Sequence, residues 1–521
     1  MLKLTSASAL ATLASQEAIA QTVHGSISQY DIFEIPLQGP SAGNPFLDIQ
    51  LKATFSLEHR TVTVDGFYDD DGSYKIRFMP DTPGEWQYTT ACNHPTLNGR
   101  SGRFTCTVAH SPNHGPVSVR YGHHFGYADG TPYFPFGTTC YAWVHQGQTY
   151  EEQTLATLRQ APFNKIRMCV FPKSYAYNHN EPEFYPFPRL AGPSPTKPMG
   201  ANDYSRFNPS FFAHFEKRLG ELRGLNIEAD LILFHPYDRW GYAAMDPEID
   251  ERYVRYVVAR FSAYRNVWWS LANEFDLMKS KTRQDFDRLL HLVQQCDPYQ
   301  HLRSIHYSKV MYDYASPAVT HASLQSYDFA SAPAWLKTWN KPIIYDEVMY
   351  EGDLPQRWGN LSGEEMTRRF WLGIIAGCYV THGETFLNAG GAENEDDKIW
   401  WSNGGKLSGA SPERIGFLRK LLEETTTIGI EASPEPYYLN AISPSHSRQG
   451  VEAKLAPAAI LYYFDFHQPA QYTFPLGDGI YQAELIDPWQ MTITTVAGSF
   501  SGKATLRLTG KPFQAIRFRH T

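Results

Sequence analysis

The sequence predicts a (β/α)8 TIM barrel flanked by an N-terminal Ig-like β-sandwich and a small C-terminal β-sandwich. Three observations predict it. Short alternating strand segments with tight turns fill residues 22–112, and eight apolar strand candidates separated by amphipathic helical stretches follow from about 130 to 385. Short strands with Gly and Pro turns then return from about residue 434. The expected division is a leader at 1–21, a sandwich at 22–112, a barrel at 113–432 and a C-terminal β-sandwich at 433–521.

The leader, MLKLTSASALATLASQEAIA, has one Lys, a Leu/Ala stretch and an A-I-A ending, the outline of a short secretory signal interrupted by Ser, Thr and Glu17. Secretion is slightly favoured over a cytoplasmic location. No run of about 18 apolar residues occurs elsewhere, so no membrane span is expected.

In the sandwich region, KATFSL, TVTVDGFY, YKIRFMP and EWQYTT alternate apolar and polar residues between DDDG, TPG and LNG turns. The acids Asp69, Asp70 and Asp71 before Gly72 lack the alternating spacing and distant Glu of a calcium loop and read as a hairpin turn. Six scattered cysteines without C-x-x-C spacing argue against a zinc ribbon. Cys92 and Cys106 lie where a cross-strand bridge is conceivable, with free thiols as the favoured state. SPNHGPV (111–117) reads as the linker.

The eight barrel strands are read in YFPFGTT, NKIRMCVF, IEADLILF, VWWSLANE, LRSIHY, SLQSYD, PIIYDEVMY and YVTHGETF. Between them, FNPSFFAHFEKRLGELRGLN and EIDERYVRYVVARFSAY carry apolar residues at helical spacing, with Asn-Pro or Asp-Pro near their starts. ASAPAWLKTWN leaves room only for a short helix before the seventh strand. A doubly wound sheet would carry a Gly-rich phosphate turn after its first strand, and YFPFGTTCYAW has none.

Composition narrows the partners. The formal charge of −8 shows no basic face, so neither nucleic acid nor an anionic membrane is an expected partner. The 14% aromatic content, with 32 Tyr and 12 Trp, suits sugar rings as well as large β cores.

Chemistry on such a barrel sits at the C-terminal strand ends. These ends carry His235 and Asp238 (third), Asn273 and Glu274 (fourth), His306 and Tyr307 (fifth), Gln325 and Tyr327 (sixth), Asp346 and Glu347 (seventh), and His382 and Glu384 (eighth), with Arg167 inside the second. Glu274 and Glu347 close strands on opposite sides of the mouth, where two carboxylates can face one sugar ring. One must keep a proton for the leaving oxygen and the other must stay ionised. Arg167, with Tyr307 or Tyr327, is positioned to keep Glu347 ionised, and Asn273 to bond a sugar hydroxyl.

Asn273-Glu274 after a Trp-rich fourth strand, with Glu347 ending the seventh, resembles the retaining glycoside hydrolases of clan A. GTTCYAWVHQ, FNKIRMCVFPK, LILFHPYDRWG, NVWWSLANEFDLM and IWWSNGGKLSGASPERIGFLR are similar to a branch of these barrels related to the apiosidase-like family. The resemblance covers most of residues 22–521. It implies a retaining O-glycosyl hydrolase acting on oligo- or polysaccharides or glycosides, with Glu274 as acid/base, Glu347 as nucleophile, no cofactor and no metal. It also implies Arg167, His235, Tyr327 and Trp401 as substrate-binding candidates, and Asn273, His306, Trp143 and Trp400 are further candidates for the same role. The Pro- and Tyr-rich segment after strand two is expected to wall the pocket, and Trp400 and Trp401 in ENEDDKIWWSNGG to form a stacking platform, with the acids of that loop solvated. The rivals are a metal-dependent barrel hydrolase, which commonly opens with an H-x-H pair absent from YFPFGTTCY, and a non-catalytic carbohydrate-binding protein, which would be expected to lose one of the two carboxylates.

Overall fold

The computed structural model describes residues 25–194, 198–387, 398–433, 442–447, 457–466 and 468–521. The expected leader at 1–21 and the acids at 393–397 lie outside these residues.

The N-terminal region is a sandwich of two sheets. One orders strands Ser26–Ser28, Ser101–Thr107, Gly84–Cys92, Leu51–Leu57 and Arg60–Asp65; the other orders Phe33–Gln38, Ser73–Phe78 and Phe67–Tyr68. Alternation builds the core: Leu51, Ala53 and Phe55 point inward while Lys52 and Thr54 face solvent. Aromatic rings fill the space between the sheets, Phe33 stacked on Phe104 at 3.8 Å and Phe55 on Phe78 at 4.1 Å. The Asp-rich turn is the hairpin between Phe67–Tyr68 and Ser73–Phe78. Asp70, Asp71 and Gly72 all take positive φ there, a conformation for which Asp and Gly are suited. Cys92 and Cys106 are free thiols. Cys106 pairs with Gly84, at the other end of the strand that Cys92 terminates, roughly 27 Å away at strand rise, far beyond the reach of a disulfide.

Eight parallel strands form the barrel: β1 (Phe136–Thr139), β2 (Lys165–Cys169), β3 (Glu228–Phe234), β4 (Val267–Ala272), β5 (Arg303–Ser304), β6 (Ala322–Gln325), β7 (Ile343–Glu347) and β8 (Tyr379–His382). β1 pairs with both β2 and β8, and the ring is completed between β5 and β6 by a parallel bridge, His306 to Ser323. Among the described residues, seven helices of eight or more residues follow strands around it: α1 (Gln148–Leu158), α2 (Pro209–Gly224), α3 (Pro247–Phe261), α4 (Arg283–Cys296), α5 (Ala332–Trp339), α6 (Gly363–Ile375) and α7 (Ser411–Thr425). Pro at the first turn starts α2 and α3, where its missing N–H has no partner to lose, and the Asn208 side chain caps α2. The short helix before the seventh strand is α5. The irregular unit is the fifth, whose two-residue strand runs to β6 without a helix.

After α7 the described strands form a seven-stranded sheet that folds over through the long strand Gln471–Asp487. Its first half pairs with Phe500–Arg507 and its second with Ala515–His520, enclosing Phe464, Phe474, Tyr481 and Phe518. This sheet docks on α6 and α7: Arg368 grips Asp465 with two bonds of 2.5 and 2.6 Å, Trp371 stacks on Tyr463, and Arg517 donates to Thr425.

Candidate active site

Strands β2, β3 and β7 place charges inside the barrel that support its mouth. Lys165 Nζ lies 2.8 Å from both Asp230 and Asp346, and Asp346 also accepts from Ser323 (2.6 Å) and Thr381 (2.8 Å). Burial raises the Asp346 carboxyl, but Lys165 and Arg167 outweigh it and hold the group below the usual carboxylate range. Adjacent strand residues normally point to opposite faces. A register shift between β6 and β7, where Leu324 pairs Tyr345 but Gln325 pairs Glu347, lets Asp346 point into the barrel and Glu347 toward the mouth.

Glu347 Oε1 accepts a short hydrogen bond from the Tyr141 hydroxyl. Arg167 Nη1 donates to that same hydroxyl (3.0 Å) and to Asn273 Oδ1 (2.8 Å), and stands 3.6 Å from Glu347. Burial and the facing Glu274 carboxylate push Glu347 up to about 7, against the pull of Arg167, Tyr141 and Lys173. Glu274 follows β4 with left-handed backbone (φ 47°, ψ 52°), a conformation costing a non-Gly residue about 1–3 kcal/mol and common at functional sites. Its Oε2 accepts a short bond from Tyr237 and a 3.4 Å contact from Asn273 Nδ2. Gln325, with its amide nitrogen facing the acceptors, donates to Glu274 Oε1 at 3.1 Å and to the Tyr307 carbonyl at 3.0 Å. Tyr141 and Tyr237 are both driven well above the phenol range, by burial first and by the carboxylates second, so each remains a neutral donor.

The predicted residues separate into two groups. Arg167, Asn273 and Gln325 join the carboxylates. Trp401 sits beside them, 5.5 Å from Tyr141 and 5.2 Å from Trp358 between ring centres. His306 is fully buried, and burial with Arg167 holds it neutral. His235 is also buried neutral, its Nε2 on the Phe171 carbonyl at 3.2 Å. Trp143 is buried with its indole N–H on Met168 Sδ, and Trp400 is buried with its N–H on Thr138 (2.8 Å), so neither offers a stacking face. Tyr327 is 53% exposed with its ring under the Arg369 guanidinium. The partner of Glu347 is Tyr141, not Tyr307 or Tyr327. Asp238 and Asp276 are loop anchors: Asp238 accepts from the amides of Trp240, Gly241 and Ala243, and Asp276 from those of Ser308, Lys309 and Val310.

Three residues were missed: Tyr141, Tyr237 and Lys173, each lying a few residues beyond the end of its strand. Lys173 Nζ rests over Trp401 (3.9 Å), Tyr141 (4.1 Å) and Tyr237 (4.8 Å), with no hydrogen-bond partner among the described residues.

Glu351, His382 and Glu384 bring possible metal ligands within 4.8 Å of one another. Their oxygens are already engaged: Glu384 accepts from the amides of Ser408 and Gly409, and Glu351 from those of Ala410 and Ser411 and from the Ser411 hydroxyl. Thr138 Oγ1, which accepts from Trp400, lies 3.2 Å from His382 Nδ1, and His382 Nε2 stands 4.0 Å from Glu351. The cluster is therefore set as an anchor for the start of α7. Burial raises Glu384 to about 7.

A closed parallel barrel with paired carboxylates at the ends of β4 and β7 defines a glycoside-hydrolase-like barrel. The chain belongs to the apiosidase-like family, whose catalytic-domain model matches residues 120–428. Two domain models of unknown function match residues 26–93 and 449–519. A crystal structure from Bacteroides vulgatus ATCC 8482, named a "putative glycoside hydrolase", is similar over 96% of this chain and 100% of its own, at 38% identity and a TM-score of 0.88. A family 5 glycoside hydrolase from the same organism shares the fold at 13% identity and a TM-score of 0.59, covering 78% of this chain and 94% of its own. No curated protein matches the sequence.

Proposed function

We propose that the protein hydrolyses O-glycosidic bonds of oligo- or polysaccharides or glycosides with retention of anomeric configuration, with Glu347 as nucleophile and Glu274 as acid/base. The observation that carries the reading is the unequal company of the two carboxylates. Among the described residues, Glu347 faces Arg167 and receives Tyr141, whereas Glu274 receives the neutral donors Tyr237, Asn273 and Gln325. Positive surroundings favour an ionised nucleophile, which assigns attack to Glu347 and proton transfer to Glu274. Burial and the facing Glu274 carboxylate raise Glu347 to about 7, so it becomes the ionised nucleophile as pH rises through that value. Arg167 and Lys173 pull Glu347 the other way, and the role assignment follows this placement of the cations.

In the first step a Glu347 oxygen bonds to the anomeric carbon as the glycosidic C–O bond breaks, and the Glu274 proton passes to the departing oxygen. In the second, Glu274 takes a proton from water as that water displaces Glu347. Tyr141 and Arg167 stabilise the carboxylate released, and Trp401 borders the sugar. The test is the anomer first formed from an aryl glycoside, followed by proton NMR before mutarotation. Retention supports the reading; inversion removes Glu347 as nucleophile.

A further inference from the structure

Lys173 is a buried ammonium with no acceptor for its N–H groups among the described residues, enclosed by the faces of Trp401, Tyr141, Tyr237 and, at 5.5 Å, Tyr175. A cation stripped of water is costly unless something answers its charge. The ring faces do so in part. The rest comes from the arrangement of charges: two of these rings are the phenols that donate to Glu347 and Glu274.

The described charges around the mouth can be counted. Lys165, Arg167 and Lys173 are cations; Asp230, Asp346, Glu274 and Glu347 are carboxylates; His235 and His306 are held neutral by burial. Three positive charges oppose four negative ones, so the cluster is neutral when the glutamate pair carries one proton. That is the state an acid and a nucleophile require together.

We propose that Lys173 is a positioning residue that fixes this one-proton state, acting on Glu347 and Glu274 through the two phenols it covers. Lying over the rings, it bonds to neither carboxylate, so it does not hold either as a fixed ion pair. Without the ammonium, the pair would hold its protons to higher pH, and Glu347 would be protonated where the enzyme works. Other groups facing the cage are Cys169 and Arg167 of β2 and Tyr350 after β7. Burial lowers Lys173 to about 8, leaving it charged at neutral pH.

The proposal rests on the glutamate pair being catalytic, and the experiment separates the two. The pH profile of kcat/KM on an aryl glycoside is measured for the wild type, Lys173→Met, which fills the cage without charge, and Lys173→Arg. The expected result is that both limbs of the Lys173→Met profile move up by about one pH unit, with about tenfold lower activity on the acid side, while Lys173→Arg keeps its limbs in place. Lys173→Gln replaces the Met variant if that one does not fold. Unmoved limbs overturn the proposal, including the outcome in which only KM rises and Lys173 is a substrate contact. A Glu347→Gln enzyme that kept its activity would instead overturn the catalytic pair itself.

Discussion

Two clusters of buried charge can be compared in this molecule, one at the seam between sandwich and barrel and one at the barrel mouth. At the seam, Glu216 of α2 accepts from Arg77 at 2.6 and 3.0 Å and from Arg260 at 2.6 Å. Arg260 also reaches Asp69 at 2.7 Å, and Arg77 reaches Glu34 at 2.8 Å. Every carboxylate there bonds directly to a cation, and the bonds cross from the sandwich strands to the barrel helices. At the mouth, Glu274 and Glu347 take their short bonds from phenols, with Arg167 near Glu347 at 3.6 Å without a hydrogen bond and Lys173 over the phenol rings. Direct pairing joins elements and fixes protonation. Pairing through a neutral donor leaves a carboxylate able to attack or to exchange a proton.

The comparison is broken most readily by exchanging which cluster is damaged. Glu347→Gln is expected to lower kcat/KM on the order of 10⁴-fold or more while the protein stays folded, because no covalent route remains. Glu216→Ala is expected to do the reverse. It leaves two buried guanidinium groups without their shared acceptor, which costs about 3–5 kcal/mol in urea unfolding, with kcat/KM retained at 25 °C.

A pH series sharpens the contrast. Glu347 keeps a proton up to about 7 in the folded protein against an ordinary 4.5, so the folded state binds more protons than the unfolded one in that window, and stability falls as pH rises through it. Glu347→Gln removes this dependence. Its stability relative to the wild type should rise by about 1–3 kcal/mol from pH 5 to pH 8 in thermal melts. An effect of similar size is expected for Trp401→Ala, a loss of about 1–3 kcal/mol in substrate binding, read as a raised KM, as the ring over Lys173 is removed.

Much of this arrangement is legible in the sequence, and the remainder is hidden for identifiable reasons. Eight apolar runs ending in polar residues mark the barrel and bring Glu274, Glu347, Arg167 and Asn273 to its mouth, because burial of a strand end in charge is costly without a partner. Trp400 and Trp401 are indistinguishable in the sequence. They open a helical turn, Trp400–Asn403, where neighbours diverge by about 100°, and one ring packs in the core with its N–H on Thr138 while the other covers Lys173. Tyr327 is two residues from Gln325, but β6 ends at Gln325, so alternation no longer carries it inward. Tyr141 and Tyr237 reach the carboxylates, and Lys173 reaches the phenol rings, from loops, whose direction no periodicity encodes. The only signal was a polar aromatic just past a strand end, in TTCYAW and HPYDRW. The charge seam is hidden because its members are scattered from Glu34 to Arg260.

The division of labour between the two glutamates is tested most directly by azide rescue of the two alanine variants on an activated aryl glycoside. Glu274→Ala should lose on the order of 10² to 10⁴ in rate on substrates with poor leaving groups but still form the glycosyl-enzyme, so azide speeds its turnover and gives a glycosyl azide of retained configuration. Glu347→Ala forms no intermediate, and azide in the vacated space should attack directly and give the inverted azide. Both variants are first shown to fold by circular dichroism. Swapped stereochemistry would reverse the two roles, and wild-type activity in both folded variants would contradict the site.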